Sequence, residues 1–148
     1  MISHFSEQKE PGVFHAKNWN SKISLEVISE LFDIAKANNN KARLCLHPSV
    51  DETVQVTYLA FVKPYRDKIH SHPLRSEIMI PIIGEAEHRI YDEKGNLQSK
   101  SILSEHLKSA ISIEKNILHS LELISSRLLI IEIGSGPFIS GSTKYFQS

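Results

Sequence analysis

The pattern of apolar and polar positions changes character near residue 41. Before it, from residue 24 to 38, apolar residues recur every three or four positions, which predicts an α-helix. Ser24 can cap its first turn, where Glu26 suits the helix dipole, and the asparagines at 38–40 end it. We expect an apolar stripe to pack on the rest of the protein or on a partner chain. That stripe comprises Leu25, Ile28, Leu31, Phe32 and Ala35.

After residue 41 the chain reads as short apolar or alternating segments separated by turn residues, a pattern typical of β-strands. A series of short strands favours a sandwich or barrel over a parallel α/β sheet, so the predicted fold is mainly β. Residues 1–22 are predicted to form an irregular arm with a short strand near Val13. The predicted strands are 42–46, 53–62, 78–83, 87–91, 99–103, 110–113, 118–124 and 127–133.

Chain length and these boundaries favour a single domain of 148 residues. Residues 1–41 are predicted to be an N-terminal arm and a helix that packs on a barrel. Residues 42–138 would form the β-barrel itself. Residues 139–148 follow a Gly-Ser-Gly-Pro segment and are predicted to be a C-terminal tail.

Charge and composition narrow the class of protein. Basic and acidic residues number 17 each, so no excess of positive charge favours a nucleic acid or an anionic membrane as partner. No apolar stretch is long enough for a membrane span, and the first ten residues lack a secretory pattern, so we expect a cytoplasmic protein. Cys45 has no second cysteine to pair with and is predicted to be a small buried hydrophobic residue.

The candidate chemistry lies in a histidine-rich segment. His70 and His72 point to the same side of an extended strand, as two ligands of one metal ion would. Glu77 would face the other side of a continuous strand, but a turn across 73–76 brings it back to the pair. Gly84 suits a tight bend after the next strand.

A further histidine opens a later strand. His119 follows Asn116, a residue that tolerates the left-handed conformation of a turn. His119 is interpreted as a metal ligand. The alternative is a partly buried histidine that hydrogen-bonds to the backbone.

These residues resemble the two conserved motifs of the cupin superfamily. The spacing His-x-His, four residues, Glu, six residues, Gly runs from His70 to Gly84 without a gap, and His119 stands at the ligand position of the second motif. The resemblance implies a cupin-type double-stranded β-helix (jelly-roll) barrel that pairs as a homodimer. It also implies one divalent transition metal ion (Fe, Mn, Zn, Ni or Co), bound by His70, His72, Glu77 and His119.

A closer resemblance covers residues 40–138. The segments 41–47, 91–95 and 132–138, together with the His-x-His motif, are similar to those of WbuC-type cupin metalloproteins. That group is encoded with genes for bacterial O-antigen (lipopolysaccharide) biosynthesis. The resemblance therefore implies a small-molecule ligand such as a sugar or sugar nucleotide.

Other residues are candidates for lining a ligand pocket. Arg43 and His47 are interpreted as donors to an anionic or sugar ligand, or alternatively as a surface arginine and a turn histidine. Tyr58 and His88 are pocket candidates too, although core packing is the default interpretation of Tyr58 and an ordinary strand position is favoured for His88. The remaining histidines are expected on the solvated surface. They are His4, His15 and His106.

Three functions stay open on the sequence alone. The first is a metal-dependent enzyme that acts on a sugar, as an isomerase or epimerase would. The second is a non-catalytic regulatory protein that grips a small ligand through the metal. The third is an Fe(II) dioxygenase. For catalysis, Glu85, Glu87 and His88 are candidate general bases by their nearness in sequence.

Overall fold

A computed structural model describes residues 1–147 of the chain. It contains a 3-10 helix at Ile2–His4 and the α-helix α1 at Leu25–Ala37. The strands within the described residues are β1 (Ser6–Glu10), β2 (Val13–Ala16), β3 (Lys41–Cys45), β4 (Val54–Val62), β5 (His70–Ser71), β6 (Glu77–Ile83), β7 (Glu85–Tyr91), β8 (Leu97–Ser104), β9 (Ile111–Ile113), β10 (Leu118–Leu123), β11 (Arg127–Ser135) and β12 (Lys144–Tyr145).

The strands form two sheets that pack face to face. One has the order β1-β2-β3-β4-β11-β6-β9, and the other has the order β12-β5-β10-β7-β8. Neighbouring strands run antiparallel, except that β2 runs parallel to β3. The nine-residue pairing of β4 with β11, from Val54 opposite Ser135 to Val62 opposite Arg127, forms the centre of the larger sheet. The predicted mainly β, jelly-roll architecture with an N-terminal helix is confirmed.

Alternation along the central strands creates two apolar cores. In β4, Leu59 and Phe61 face the opposite sheet, whereas Ala60 faces outward to α1. Leu31 and Phe32 of α1 pack on that outer face, and each such side chain contributes roughly 1.5–3 kcal/mol when buried. The inner core contains Leu59, Phe61, Met79, Ala86, Leu103, Ile113, Leu121, Leu123, Leu128 and Ile130.

Helix α1 begins where its cap predicts. The Val27 amide donates to Ser24 Oγ at 3.4 Å, and Glu26 lies in the first turn. The predicted apolar stripe is wrong at one end, because Leu25 is 77% exposed. The first turn extends past the edge of the sheet, so Val27 takes the buried position there instead.

The two ends of the chain are more ordered than their patterns predict. Beside the expected strand near Val13, residues 6–10 form β1, whose Ser-Glu-Gln-Lys-Glu sequence has no apolar alternation and pairs through its backbone. Within residues 139–147, expected as a tail, β12 pairs with β5. No helix in residues 1–147 is both long enough and apolar enough to cross a bilayer.

Candidate metal centre

Three histidines meet at one end of the inner face. Strand β5 lies between β10 and β12, which places His70 directly opposite His119. The ring centroid of His70 is 5.0 Å from that of His72 and 4.4 Å from that of His119. One ring nitrogen of each residue lies within 4.8 Å of the other two, a spacing that suits a shared metal ion. The predicted pair thus shares a face and is joined by the predicted third histidine.

Glu77 completes the group as the turn across 73–76 predicts. It is the first residue of β6 and is 2% exposed. Its Oε1 atom lies 3.2 Å from His72 Nε2, and its Oε2 atom lies 3.8 Å from His119 Nε2. The fold therefore brings all four predicted ligand residues together.

Hydrogen bonds on the far side of the rings orient the imidazoles. His70 Nδ1 lies 2.7 Å from the Lys68 carbonyl oxygen, and His119 Nδ1 lies 2.8 Å from that of Ile117. A neutral imidazole that donates through Nδ1 keeps a lone pair on Nε2. His72 Nδ1 lies 3.3 Å from Thr143 Oγ1. This arrangement resembles the outer shell of histidine metal sites.

The buried polar atoms test whether these residues fit a cation. His119 Nε2 and Glu77 Oε2 are buried and, within residues 1–147, have no hydrogen-bond partner. The other carboxylate oxygen, Glu77 Oε1, forms an ion pair with Arg75 Nη2 at 2.6 Å. Unpaired buried acceptors are costly, and a cation would satisfy them together. Three imidazoles and a carboxylate also suit a first-row divalent ion, so the residues fit.

Burial shapes the protonation of the group. It lowers the pKa of His72 to about 3, with the nearby Arg75 charge adding to the effect, and it lowers the pKa of His119. Burial also raises the pKa of Glu77 to about 8, aided by the Glu132 charge and opposed by Arg75. The His72 and His119 imidazoles are therefore neutral, as ligation requires, whereas a bound cation would displace a proton from Glu77 near neutral pH.

Two charged residues at the centre were missed by the sequence reasoning. Arg75 contacts Glu77 and also lies 3.4 Å from Glu132 Oε1, with its guanidinium 5.5 Å from the Phe138 ring centroid. Glu132 belongs to β11. It lies in phase with the inner-core residues Leu128 and Ile130, and a lone carboxylate in that apolar phase is the signal that could have identified it.

A series of polar side-chain contacts connects Lys41 on β3 with His70 in the candidate metal centre. Lys41 Nζ donates to Tyr65 Oη at 3.2 Å, and Tyr65 Oη donates to Asp67 Oδ1 at 3.1 Å. Asp67 Oδ2 accepts from the Leu121 amide and lies 3.8 Å from His70 Nδ1. Burial lowers the pKa of Lys41 to about 8. No local sequence pattern predicts this series of contacts, because the strands bring the side chains together only after folding.

The predicted pocket residues divide between two faces. His88 is 1% exposed, and its ring centroid lies 5.8 Å from that of His119, so it faces the barrel interior. Arg43 is exposed and lies two residues from Lys41 on β3, in the same phase. Tyr58, for which core packing is the default interpretation, packs in the outer core beneath α1.

The candidate general bases differ in their surroundings. Glu85 accepts a hydrogen bond from Ser104 Oγ at 2.6 Å. Glu87 lies 2.6 Å from Arg89 Nε and forms a second ion pair with Lys100. His88 Nε2 is buried without a hydrogen-bond partner in the described chain, and burial lowers its pKa to about 4. Of the three, His88 is the neutral base that faces the histidine cluster.

The remaining histidines include one clear correction. His4 and His106 are exposed, as expected. His15 was expected on the surface but is buried, because β2 joins the sheet beside β3 and brings its ring against His47. His47 is also buried in that second cluster and lies outside the group formed by His70 and its partners.

Comparison with known proteins identifies the fold. No protein-family model and no curated protein sequence match the chain. Among solved structures, the capsular polysaccharide assembling protein CapF from Staphylococcus aureus superposes with a TM-score of 0.65 at 13% identity, over 75% of this chain and 31% of that one. The chain thus spans about a third of the CapF chains it matches.

Two further structures support the same assignment. KdgF from Halomonas sp. gives a TM-score of 0.56 at 17% identity, covering 70% of this chain and 84% of that chain. The formate complex of Lactobacillus farciminis oxalate decarboxylase gives 0.58 at 14% identity, over 72% and 31% of the two chains. Together these likenesses show a cupin fold.

Proposed function

We propose that this cupin barrel binds one divalent transition metal ion through His70, His72, Glu77 and His119. The observation that carries the proposal is the convergence of three imidazoles on a buried carboxylate whose Oε2 atom has no hydrogen-bond partner within residues 1–147. When bound, such an ion would supply Lewis acidity toward a carbonyl, a hydroxyl or a water molecule. His88 would accept or hold a proton beside it, since its Nε2 atom is neutral and unpaired in the described chain.

The proposed ligand is a sugar or sugar nucleotide of bacterial O-antigen (lipopolysaccharide) biosynthesis. The resemblance to WbuC-type cupins supports this class, and the similar CapF structure is named as a capsular polysaccharide assembling protein. Arg43, exposed beside the inner face, and Arg75 would attract the phosphates of a nucleotide sugar. The protein would act as a homodimer, as the same resemblance implies.

A non-catalytic, regulatory cupin is the second candidate. The specific observation in its favour is that Glu85 and Glu87, two of the three candidate bases, are already held by Ser104, Arg89 and Lys100. A binding protein needs no free base. Of the three candidate bases, catalysis would depend on His88. A measurement of substrate turnover therefore decides between the enzyme and the regulatory protein.

Metal analysis tests the proposed centre. The purified protein, or apoprotein titrated with Mn(II), Fe(II) or Zn(II), is expected to hold an ion that His72→Ala loses. The matched control His106→Ala removes an exposed histidine and should hold as much metal as the wild type. A His72→Ala protein that is folded and binds metal like this control would contradict the assignment.

A ligand screen tests the proposed substrate class. Nucleotide sugars are expected to raise the melting temperature of the metal-loaded protein and not of His72→Ala. Conversion of a stabilising compound would identify an enzyme, and stabilisation without conversion would identify a regulatory binder. Oxygen uptake by the Fe(II)-loaded protein would instead support the dioxygenase.

A further inference from the structure

We infer that His15, Cys45 and His47 form a second metal site, which takes a borderline or soft ion such as Zn(II) or Cu(I). The Cys45 sulfur and one ring nitrogen from each histidine lie within 4.8 Å of one another. The side chains are well shielded, with 8%, 6% and 2% exposure for His15, Cys45 and His47. The two imidazole rings meet edge to face, with centroids 5.2 Å apart.

Sheet pairing builds this cluster from two distant segments. The parallel register of β2 with β3 sets His15 directly opposite Cys45. His47 lies two residues after Cys45, in the bend that follows β3, and its ring turns back toward His15. The N-terminal hairpin therefore contributes one of the three donors, and the cluster exists only when that hairpin joins the sheet.

Both imidazoles are oriented as ligands would be. His15 Nδ1 lies 3.3 Å from the His47 carbonyl oxygen, and His47 Nδ1 lies 3.0 Å from the Val56 carbonyl oxygen. The Val56 amide nitrogen is also 3.0 Å from His47 Nδ1, so the backbone occupies that nitrogen in either tautomer. A metal ion on Nε2 would select the tautomer in which Nδ1 donates to the carbonyl and Nε2 keeps its lone pair, the arrangement found behind most histidine metal ligands.

The donor set selects the kind of ion. A thiolate with two imidazoles suits Zn(II) and Cu(I) and disfavours Mg(II), Ca(II) or Mn(II), which take oxygen ligands. Within residues 1–147 the thiol accepts a weak hydrogen bond from Thr57 Oγ1 at 3.7 Å, which a metal ion would replace. Three protein ligands leave one tetrahedral position for water or a small ligand.

The second site is chemically distinct from the first but lies on the same sheet face. Cys45 is opposite Thr57 on β4, and Thr57 is opposite Glu132 on β11. Glu132 in turn contacts Arg75, the partner of Glu77. One row across the sheet thus joins the two clusters, while no residue belongs to both.

A spectroscopic titration tests this inference, because Cys45 is the sole cysteine of the chain. Co(II) added to the full-length protein is expected to produce a thiolate-to-cobalt charge-transfer band that Zn(II) abolishes. The band should vanish in Cys45→Ser and Cys45→Ala, and in His47→Gln. It should persist in His72→Ala, which removes the first centre, so failure at one site is distinguished from failure at the other.

The inference is overturned by two results. One is a folded wild-type protein, checked by circular dichroism, that shows no such band with excess Co(II). The other is a band that survives unchanged in His15→Gln or in His47→Gln, which would show the thiol binding metal without that histidine. If the cysteine variants fail to fold, the two histidine variants still decide the matter.

Discussion

At the residue scale, Arg75 is the cation that offsets buried negative charge at the proposed metal centre. It lies between two partly or fully buried carboxylates, Glu77 and Glu132. Burying one charge without a partner costs several kcal/mol, and burying two like charges costs more. Arg75 therefore offsets the negative charge of the two carboxylates, as a bound metal ion would also do.

Replacement of Arg75 by an uncharged residue tests whether it compensates the charges of Glu77 and Glu132. Arg75→Met is expected to destabilise the metal-free protein by about 3 kcal/mol, because two carboxylates lose their partner. Divalent metal should stabilise this variant more than the wild type. Denaturant titration with and without Zn(II) measures both effects. The exposed Arg66→Met is the control, and an equal loss in that variant would refute the explanation.

Lys41 predicts a pH dependence of stability. Burial lowers its folded pKa from 10.5 to about 8, so the folded state binds fewer protons than the unfolded state between those values. Stability should therefore rise as pH increases from 8 towards 10.5, and the charged lysine should cost stability below pH 8. Because the side chain is partly exposed, the cost is on the order of 2 kcal/mol at most.

The corresponding test compares two lysines. Lys41→Met is expected to raise the free energy of unfolding at pH 7 and to remove the rise between pH 8 and 10. Lys36→Met, on the exposed side of α1, should change neither. Unfolding of both variants by urea across this pH range gives the answer. An unchanged pH profile in Lys41→Met would assign the rise to another group.

At the element scale, the conformation of the turns sets the direction in which the following strand runs and the face to which its side chains point. Gly84 has a φ of +84° between β6 and β7, and a Cβ there would lie 2.2 Å from the Arg127 carbonyl oxygen. Gly141 has a similar φ of +75° but has open space around it. The two glycines thus separate the cost of backbone conformation from the cost of crowding.

Alanine at each glycine makes that separation measurable. Gly141→Ala should cost about 1 kcal/mol, the penalty of a left-handed conformation alone. Gly84→Ala should cost at least about 3 kcal/mol, because the backbone of β11 must also move. Thermal unfolding of both variants compares them. Equal losses would mean that the bend is flexible enough to absorb the methyl group.

Elements with a strong local pattern were predictable, and elements held by pairing alone were not. The cap at Ser24, the bend at Gly84 and the left-handed turn at Asn116 follow from intrinsic residue preferences. Strands β1 and β12 have exposed, polar sequences whose only structural signal is a partner strand. The periodicity of apolar residues in a sequence indicates which side chains are buried. It therefore does not predict a strand that buries few apolar side chains.

The residues of the candidate site likewise fall into those that the local sequence predicts and those that depend on strand pairing. His70, His72 and Glu77 follow one another closely, so strand alternation and a turn suffice to bring them together. Arg75 is between them in sequence, yet its role depends on Glu132, which meets it only through the pairing of β6 with β11. The placement of His15 likewise needed the β2–β3 pairing, which no local pattern encodes.

At the scale of the whole molecule, the C-terminal segment supports the metal centre from outside the barrel core. Strand β12 pairs with β5, and Thr143 contacts His72. Without them, β5 keeps only β10 as a neighbour within the described residues. His70 on β5 would then lose one of its two neighbouring strands, and His72 would lose its contact with Thr143.

Truncation tests this support. A chain lacking residues 143–148 is expected to keep its fold, because neither apolar core includes those residues. Its metal affinity should fall by roughly 10–100-fold, the effect of losing outer support for metal ligands. Competition with a chelator measures it. A chain lacking residues 147–148 is the control, and equal affinities in the two chains would argue against a role for β12.

The short strand β5 also determines when the centre can form during synthesis. His70 is held by His119 and Tyr145, both much later in the chain. At about 5–20 residues per second, the ribosome finishes these partners on the order of ten seconds after His70 has been made. During that interval the His-x-His pair lacks His119 and Tyr145, so the proposed site is incomplete. Metal selection by the proposed centre would then depend on the ions that the chain meets after Tyr145 has been made.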